Sequence, residues 1–481
     1  MNLGELLKDE CDERCSMVPT SGICEDSRAV NQGDVFIAAS DNVEVRSAHI
    51  EQAIEAGAGA VLVPDSAIED ATVPTVLVAD LAARRSELSA RFYQQPSNKM
   101  CCLGVTGTNG KTSIAFHVAD LSHKLGVSSG YCGTLGWGGL DRLQPTQLTT
   151  PNAVVLQQYL AAMRDQGAAR IAMEVSSHAL DQGRVAAVQF DLAIFSNLTR
   201  DHLDYHKTSE AYQAAKAKLF QQWPLATAVI NSDDPVGREL LCTTRAREVI
   251  SYGVHGDVSW HSQVVRRGMQ VKFTTPWGSA ETTIPVAAEF AVANVAAAMA
   301  ALLSLGHTLR EVSDAVGSMT PVPGRMQVID GGPGCSRVVV DYAHTPDALE
   351  KTLAALRPQC RGNLICVVGC GGDRDRGKRA QMGLAAAKGS DRVWFTSDNP
   401  RSEDPLAIID DMTRPLGDIS AQRVRCQADR AQAITEAIDS AQPDDVVLIA
   451  GKGHEQTQEI NGEFLPFSDF AVVHEIQTGK S

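Results

Sequence analysis

Gly104-Val105-Thr106-Gly107-Thr108-Asn109-Gly110-Lys111-Thr112-Ser113 follows a short apolar run, Met100 to Val105, and precedes a helical pattern, Ile114 to Leu125. Strand, glycine-rich turn and helix in that order are the context of a phosphate-binding loop. Glycines let backbone N–H groups curl round an anion, and the helix N-terminus adds a partial positive charge. Lys111 is then placed to reach the terminal phosphates of a nucleotide, and the Thr112 hydroxyl to ligate Mg²⁺. The strict pattern is not met in full, because its first glycine falls on Val105 and Gly104 sits one residue early. Gly-Lys-Thr opening a helix still outweighs a connector without chemistry, so nucleotide binding is expected.

The bulk of the chain narrows the context. Its 481 residues suggest roughly three domains. A hydrophobic fraction of 44% and a charged fraction of 21% are those of an ordinary soluble protein. A net charge of −15 argues against a nucleic-acid partner held by bulk electrostatics. The twelve cysteines include no Cys-x-x-Cys, which fits buried thiols better than a disulfide framework or a zinc site. The N-terminus is acidic without a long apolar segment, and nowhere do 18 apolar residues run together. A cytoplasmic protein without a membrane partner is expected.

Residues 1–98 read as a small α/β unit: strands Asp34 to Ala38, Ala60 to Val63 and Thr75 to Val78, and helices His49 to Ala56 and Leu81 to Tyr93. Gly57 is placed to end the first helix. Asp26-Ser27-Arg28, taken alone, reads as a turn. Gln94 to Asn98 is a polar, proline-containing linker. In residues 99–322, Arg170 to Val175 reads as a buried strand, with Glu174 at its end as a natural second Mg²⁺ contact. Strand Asp191 to Phe195 leads into Asn197 to His206. The spacing of His202 and His206 resembles a zinc protease, but Leu203 stands where the glutamate is required, and that reading is rejected. Lys216 lies on a helix, Ser209 to Gln222, where an isolated lysine is ordinarily a solvated charge. The run Ala287 to Leu305 is alanine-rich and helical by propensity, and Pro321 to Arg325 breaks the chain.

Residues 323–481 alternate most cleanly. Strands Arg337 to Val340, Leu364 to Val368, Arg392 to Thr396 and Val446 to Ala450 each run into a polar or glycine-rich segment, with helices Pro346 to Leu356 and Gln381 to Ala387 between. Two further helices and a short strand, Arg423 to Cys426, precede the last. This predicts a mostly parallel, doubly wound sheet whose strand-end loops converge on one crevice. Gly369-x-Gly371 lacks the third glycine of a dinucleotide fingerprint, which is Arg374 here.

Read jointly, these segments resemble the Mur ligases, the ATP-dependent amide ligases of peptidoglycan synthesis, over nearly the whole chain. The motifs are most similar to members that add the third amino acid to UDP-N-acetylmuramoyl-L-alanyl-D-glutamate. The resemblance implies an α/β fold of three domains: UDP-binding (1–98), central ATPase (99–322) and Rossmann-like (323–481). It implies that Gly107, Thr108, Asn109, Gly110, Lys111, Thr112 and Ser113 hold ATP, with Asn294, Arg325 and Asp341 as further ATP contacts. Ser27 matches a contact to the uridine end of the substrate. Thr149, Thr150, Ser176, Gln182 and Arg184 match positions that hold the muramoyl dipeptide. Glu174 and His202 resemble metal-site residues beside Thr112, with Mg²⁺ the expected cofactor. Lys216, in Ala214-Ala215-Lys216, matches a lysine that family members carbamylate, and a carbamate would be a further metal ligand. Arg374, Asp398, Asn399, Pro400, Arg401, Gly451 and Glu455 resemble a meso-diaminopimelate site. A monomer is expected.

The implied reaction passes the γ-phosphoryl of ATP to the D-glutamyl carboxylate, and the incoming amine then displaces phosphate from the acyl phosphate. Two positions depart from the family. Ala291 replaces the first asparagine of an Asn-x-x-Asn pair near the adenine, and Ser40 to Val45 lacks the usual Asp-Gly-His/Arg character. A folylpolyglutamate synthase shares the architecture and chemistry, but the N-terminal unit and Asp398-Asn399-Pro400-Arg401 argue against it. A nucleotide-binding switch without ligase activity is disfavoured by Lys111, Glu174, His202 and Lys216 together.

Overall fold

The computed structural model describes all residues except 9, 66–71, 266–267, 287, 331–335, 418–422 and 480–481. The first residue of the predicted helical run 287–305 therefore lies outside the described residues. The chain divides into two compact units, Met1–Ser259 with Ala297–Thr308, and Trp260–Ala296 with Leu309–Ser481.

The first unit carries two sheets. Strands β1 (Gly22–Cys24), β2 (Asp34–Ile37), β3 (Ala60–Val63) and β4 (Thr75–Leu77) pair in parallel in simple sequence order. The second sheet holds β5 (Cys101–Thr106), β6 (Ser129–Gly133), β7 (Gly136–Gly138), β8 (Arg170–Glu174), β9 (Leu192–Phe195), β10 (Thr227–Asn231) and β11 (Glu248–Tyr252). Its order is β11-β10-β9-β5-β8-β6-β7, parallel except for β7. The phosphate-loop strand β5 thus sits centrally between β9 and β8, and all its residues from Cys102 to Thr106 are buried. Strands covered on both faces read as continuous apolar runs, which is why this sheet is visible in the sequence.

Gly104, the glycine out of frame, lies within β5. A Cβ there would stand 2.9 Å from the Phe190 ring and 3.2 Å from Val175, so this glycine serves sheet packing and not the anion loop.

The second unit has a three-stranded sheet, β12 (Ser259–Val265), β13 (Gly268–Thr275) and β14 (Gly278–Ile284), which the sequence reading did not foresee. Only alternate residues of β13 are buried, and a half-wet antiparallel strand carries a weaker apolar signal. The larger sheet contains β15 (Gln327–Asp330), β16 (Arg337–Asp341), β17 (Leu364–Cys370), β18 (Arg392–Ser397), β19 (Val424–Cys426) and β20 (Val446–Ala450). Its order is β15-β16-β20-β17-β18-β19, and β16 to β19 are mutually parallel. The four predicted strand-end segments therefore leave adjacent strands at one edge. A hairpin, β21 (Thr457–Ile460) and β22 (Glu463–Pro466), follows, and then helix Asp469–Thr478. No helix among the described residues is long and apolar enough to cross a membrane.

Candidate active site

The loop after β5 has the backbone its glycines require: Gly107 at φ 145° and Gly110 at φ 87°, with the helix starting at Lys111. A Cβ on Gly107 would strike the Ser196 hydroxyl and crowd the Asn197 backbone. The segment after β9 braces the loop. Thr108 N donates to Asn197 O (2.7 Å), Asn109 N to Asn197 Oδ1 (3.0 Å), and Thr199 N to Thr108 Oγ1 (3.0 Å). Lys111 Nζ folds back onto the loop, donating to the carbonyls of Gly107 and Thr108 at 2.9 Å each. Ser113 lies in the first turn of the helix, half-buried.

Glu174, at the carboxyl end of β8, is buried next to this loop. Thr112 Oγ1 donates to its Oε2 at 3.0 Å, and Tyr131 OH to its Oε1 at 2.6 Å. Thr134 N (2.8 Å to Oε1) and Thr134 Oγ1 (3.3 Å to Oε2) complete the bracket. A hydroxyl and a carboxylate as hard oxygen donors beside a phosphate loop suit Mg²⁺, which takes one or two carboxylates and completes its shell with phosphate oxygens and water. Among the described residues no group of three or more His, Cys, Asp or Glu side chains forms a self-sufficient metal cage. The residues thus fit an ion shared with a nucleotide.

Lys216 is not a surface lysine. It is 1% exposed, and its Nζ donates to Gly107 O at 2.7 Å and lies 4.6 Å from the Tyr212 ring centre. Burial, reinforced by the Lys111 charge, pushes its ammonium well below the usual lysine range. His202 has left-handed backbone (φ 52°), uncommon for a residue with a side chain. Its ring lies 3.5 Å from Asp201 and edge-on to His178, with centroids 4.9 Å apart. Burial lowers the His202 pKa against the pull of Asp201, and Lys111 and Lys216 add to the lowering. His178 lies in the short helix that follows β8 and was not singled out in the sequence. Its imidazole is pushed down to about 4, first by burial and then by His202 and His206.

Thr150 Oγ1 donates to Glu174 O (2.9 Å) and accepts from Ser176 N (3.0 Å), while Thr134 and Thr149 share a hydroxyl contact of 3.2 Å. Arg184 donates to Thr150 O (2.9 Å) and grips Gln182 Oε1 with two nitrogens (2.8 and 2.6 Å). Gln182 and Arg184 share a cavity of about 500 Å³ with Ser27, His49, Gln52 and Arg85. Ser27, in a single helical turn after β1, donates to Gln52 Oε1 at 2.7 Å. Residues more than 150 positions apart in sequence are thereby brought to one cavity. His49, Gln52, Arg85 and Asn152 also line it and were not anticipated, since nothing in their local sequence marks them.

In the second unit, Asp341 ends β16, buried, and accepts from Met326 N (2.8 Å), Ala343 N (3.0 Å) and Thr352 Oγ1 (3.3 Å). Burial raises its pKa against the nearby Arg325 charge, and the Arg325 guanidinium stacks 4.3 Å from the Tyr342 ring centre. Asn294 is half-buried on helix Glu289–Ser304.

The loops after β17, β18 and β20 meet. Asn399 Nδ2 donates to Glu455 Oε2 (2.9 Å), and Arg401 Nη1 to Gly372 O (2.8 Å). A Cβ on Gly451 (φ 114°) would stand 2.5 Å from Asp398 Oδ2. Asp398 is 8% exposed, and its carboxyl is raised chiefly by burial. Pro400 accepts from Glu403 N at 3.0 Å, closing the turn. Arg374 is exposed and stays apart from this network, its Cγ 3.7 Å from the Cβ that Gly371 lacks. Arg401 is already paired: Nε sits 2.8 Å from Glu459 Oε2, on the hairpin that also bonds its backbone on both sides. The hairpin is invisible to an argument that stops at β20.

Fold and site together define an α/β protein with a phosphate-type loop and, in the same compact unit, a cavity of about 500 Å³ lined mainly by polar side chains. The Mur ligase middle domain matches residues 105–302, and the Mur ligase glutamate ligase domain matches residues 324–453. A Pseudomonas syringae pv. tomato protein named UDP-N-acetylmuramoyl-L-alanyl-D-glutamate–2,6-diaminopimelate ligase is 47% identical over 92% of this chain and 92% of its own. A Xylella fastidiosa protein of the same name is 43% identical over 100% and 98%. A solved structure of a ligase so named superposes with a TM-score of 0.73 at 36% identity, covering 100% of this chain and 99% of that one. The chain belongs to the Mur ligase family, whose members use ATP.

Proposed function

We propose that this protein is a cytoplasmic ligase that joins meso-2,6-diaminopimelate to the D-glutamyl carboxylate of UDP-N-acetylmuramoyl-L-alanyl-D-glutamate, with ATP converted to ADP and phosphate. The observation that carries the reading is identity of 43–47%, over 92–100% of this chain, to ligases of that name. It favours a muramoyl substrate over a pterin, and a ligase over a switch. The three segments 1–98, 99–322 and 323–481 take the UDP-sugar, the ATP and the amino acid in turn.

Lys111 and the loop amides bind the β- and γ-phosphates of ATP, the negative charge that draws Lys111 off its own loop carbonyls. Asn294, Arg325 and Asp341 serve the rest of the nucleotide. Thr112, Glu174, His202 and Lys216, the last as a carbamate, would hold Mg²⁺, which would supply charge neutralisation on the transferring phosphoryl group. Ser27, Thr149, Thr150, Ser176, Gln182 and Arg184 orient the UDP-muramoyl dipeptide so that its carboxylate faces the γ-phosphorus. The carboxylate oxygen bonds to phosphorus as the bond to the ADP oxygen breaks. The amino group then attacks the acyl carbon, phosphate leaves, and the amine gives up a proton. Positioning and electrostatic stabilisation supply most of the acceleration in such transfers.

Arg374, Asp398, Asn399, Pro400, Arg401, Gly451 and Glu455 recognise the amino acid. The second carboxylate of diaminopimelate calls for a planar two-pronged donor, which is arginine's geometry. Because Glu459 already partners Arg401, L-lysine would not leave this guanidinium bare, and discrimination rests on the bonds lysine cannot make. Bonds to charged groups contribute ~1.5–3 kcal/mol each, which is roughly ten- to a hundredfold. The test is amino-acid-dependent phosphate release with the UDP-dipeptide. Wild type should prefer meso-diaminopimelate to L-lysine in kcat/KM, Arg401→Ala should erase most of the preference, and folded Lys111→Ala should be inactive. Equal use of the two amino acids by wild type would refute the substrate assignment.

A further inference from the structure

Lys452 follows β20 and has no exposed surface, although an ammonium group is costly to bury without partners. Its Nζ donates to Asn399 Oδ1 at 2.9 Å and to Glu455 Oε2 at 2.8 Å. Asn399 Nδ2 donates to that same Glu455 oxygen at 2.9 Å, so three side chains from two loops close a triangle. The hairpin adds a fourth member, Glu459 N, which donates to Asn399 Oδ1 at 3.0 Å. Two donors on Oδ1 fix which way the Asn399 amide faces. Oε2 of Glu455 is fully engaged, and the side chain remains 29% exposed. Burial alone would raise the Glu455 pKa, but the Lys452 charge and hydrogen bond and the Asn399 amide outweigh it and hold the carboxyl below its ordinary range. His454 pulls the same way, and Arg430, the buried Asp398 and, behind them, Asp469 are further charged groups beside this cluster, with the Arg401–Glu459 pair on the hairpin side.

We propose that Lys452 is a positioning residue for the amino-acid substrate: by clamping Asn399 and Glu455 Oε2 from beneath, it presents the remaining Glu455 oxygen as an ionised acceptor for the substrate's ammonium group. This rests on the reading that the loops after β17, β18 and β20 take the amino acid. Lys452 makes no contact with the ligand itself. Its work is geometric, in setting the Asn399 amide, and electrostatic, in keeping Glu455 charged.

Lys452→Met removes the charge and nearly preserves the side-chain length. In the full-length variant, KM for meso-diaminopimelate should rise about tenfold or more, the range expected for a lost hydrogen bond to a charged group. The rise should steepen as the pH is lowered, because Glu455 without Lys452 takes up its proton at a higher pH than in wild type. KM for the UDP-dipeptide should stay within about twofold, because the cavity lined by Ser27, Gln182 and Arg184 belongs to the other compact unit. Carbon-13 NMR of the side-chain carboxyls, with Glu455→Gln to assign the resonance, should show Glu455 titrating higher in the Lys452→Met protein. An unchanged diaminopimelate KM, an unmoved Glu455 titration, or an equal rise in the KM for the UDP-dipeptide would each overturn the proposal. If wild type does not use meso-diaminopimelate, the activity reading fails on its own, and the NMR titration still decides the clamp. Lys452→Gln, neutral but able to hydrogen-bond, carries the same measurements should the methionine variant not fold.

Discussion

Lys216 shows how far one residue can depart from its local reading. A lysine on an amphipathic helix is ordinarily solvated, yet this one is buried against a loop carbonyl and within reach of a second lysine's field. Its folded pKa is lowered relative to the unfolded chain. Between the two values the unfolded state binds more protons, so this group makes stability rise with pH, and below the folded value its full cost persists. In carbon dioxide-free buffer, Lys216→Met should therefore raise the denaturation midpoint at pH 7 and flatten the rise toward pH 10, while abolishing ligation. A lowered pKa also raises the share of neutral amine, the form that reacts with CO₂. Wild type equilibrated with ¹³C-bicarbonate should then give a carbamate carbon signal that is absent from Lys216→Met. A midpoint lower than wild type at pH 7 would mean that Lys216 is stabilising and that burial of its charge is not the dominant effect.

The elements that the sequence made legible are those with one strong, local cause. Helices Pro346–Leu356 and Ser209–Gln222 begin on capping threonines, Thr345 and Thr208, and end where read. Strands Ala60–Val63 and Val446–Ala450 are unbroken apolar runs buried on both faces. Helix Val43–Glu55 starts six residues before the predicted His49, because Asn42 caps it through Val45 N (3.1 Å) and β-branched Val43 and Val45 hide the start. The hairpin β21–β22 and helix Asp469–Thr478 were missed because their anchors lie far away in sequence. Arg430, on helix Arg430–Asp439, meets Asp469 at 2.7 and 2.8 Å, and both side chains are fully buried. Removing one member leaves a charge without its partner, at a cost of roughly 3–5 kcal/mol. Asp469→Ala should lose stability of that order in urea unfolding, whereas the double variant Arg430→Met/Asp469→Leu should recover much of it. A single variant within about 0.5 kcal/mol of wild type, the range of an ordinary surface change, would deny the pair its anchoring role.

At the scale of the whole molecule, the candidate sites divide between the two compact units. The phosphate loop, Glu174, Lys216 and the cavity lined by Ser27, Gln182 and Arg184 lie in the first, and the strand-end loops carrying Arg401, Lys452 and Glu455 lie in the second. This division was legible in outline, since the motifs fell into separate stretches. The cavity was not, because its walls come from segments whose meeting depends on tertiary packing. Each ligand should therefore leave a separate footprint in hydrogen exchange. A ligand at ~100 times its Kd adds ~2.7 kcal/mol to any opening that destroys its site, slowing exchange through that opening about a hundredfold. The UDP-dipeptide should slow amides around Ser27, Gln52 and residues 149–154 and 182–184, and leave those around residues 371–374, 398–401 and 451–461 unchanged. Meso-diaminopimelate should do the reverse. Protection by the UDP-dipeptide confined to the strand-end loops would contradict the site assignments of both units. Protection by meso-diaminopimelate at Ser27 alone would contradict the role given to Arg401 and Glu455.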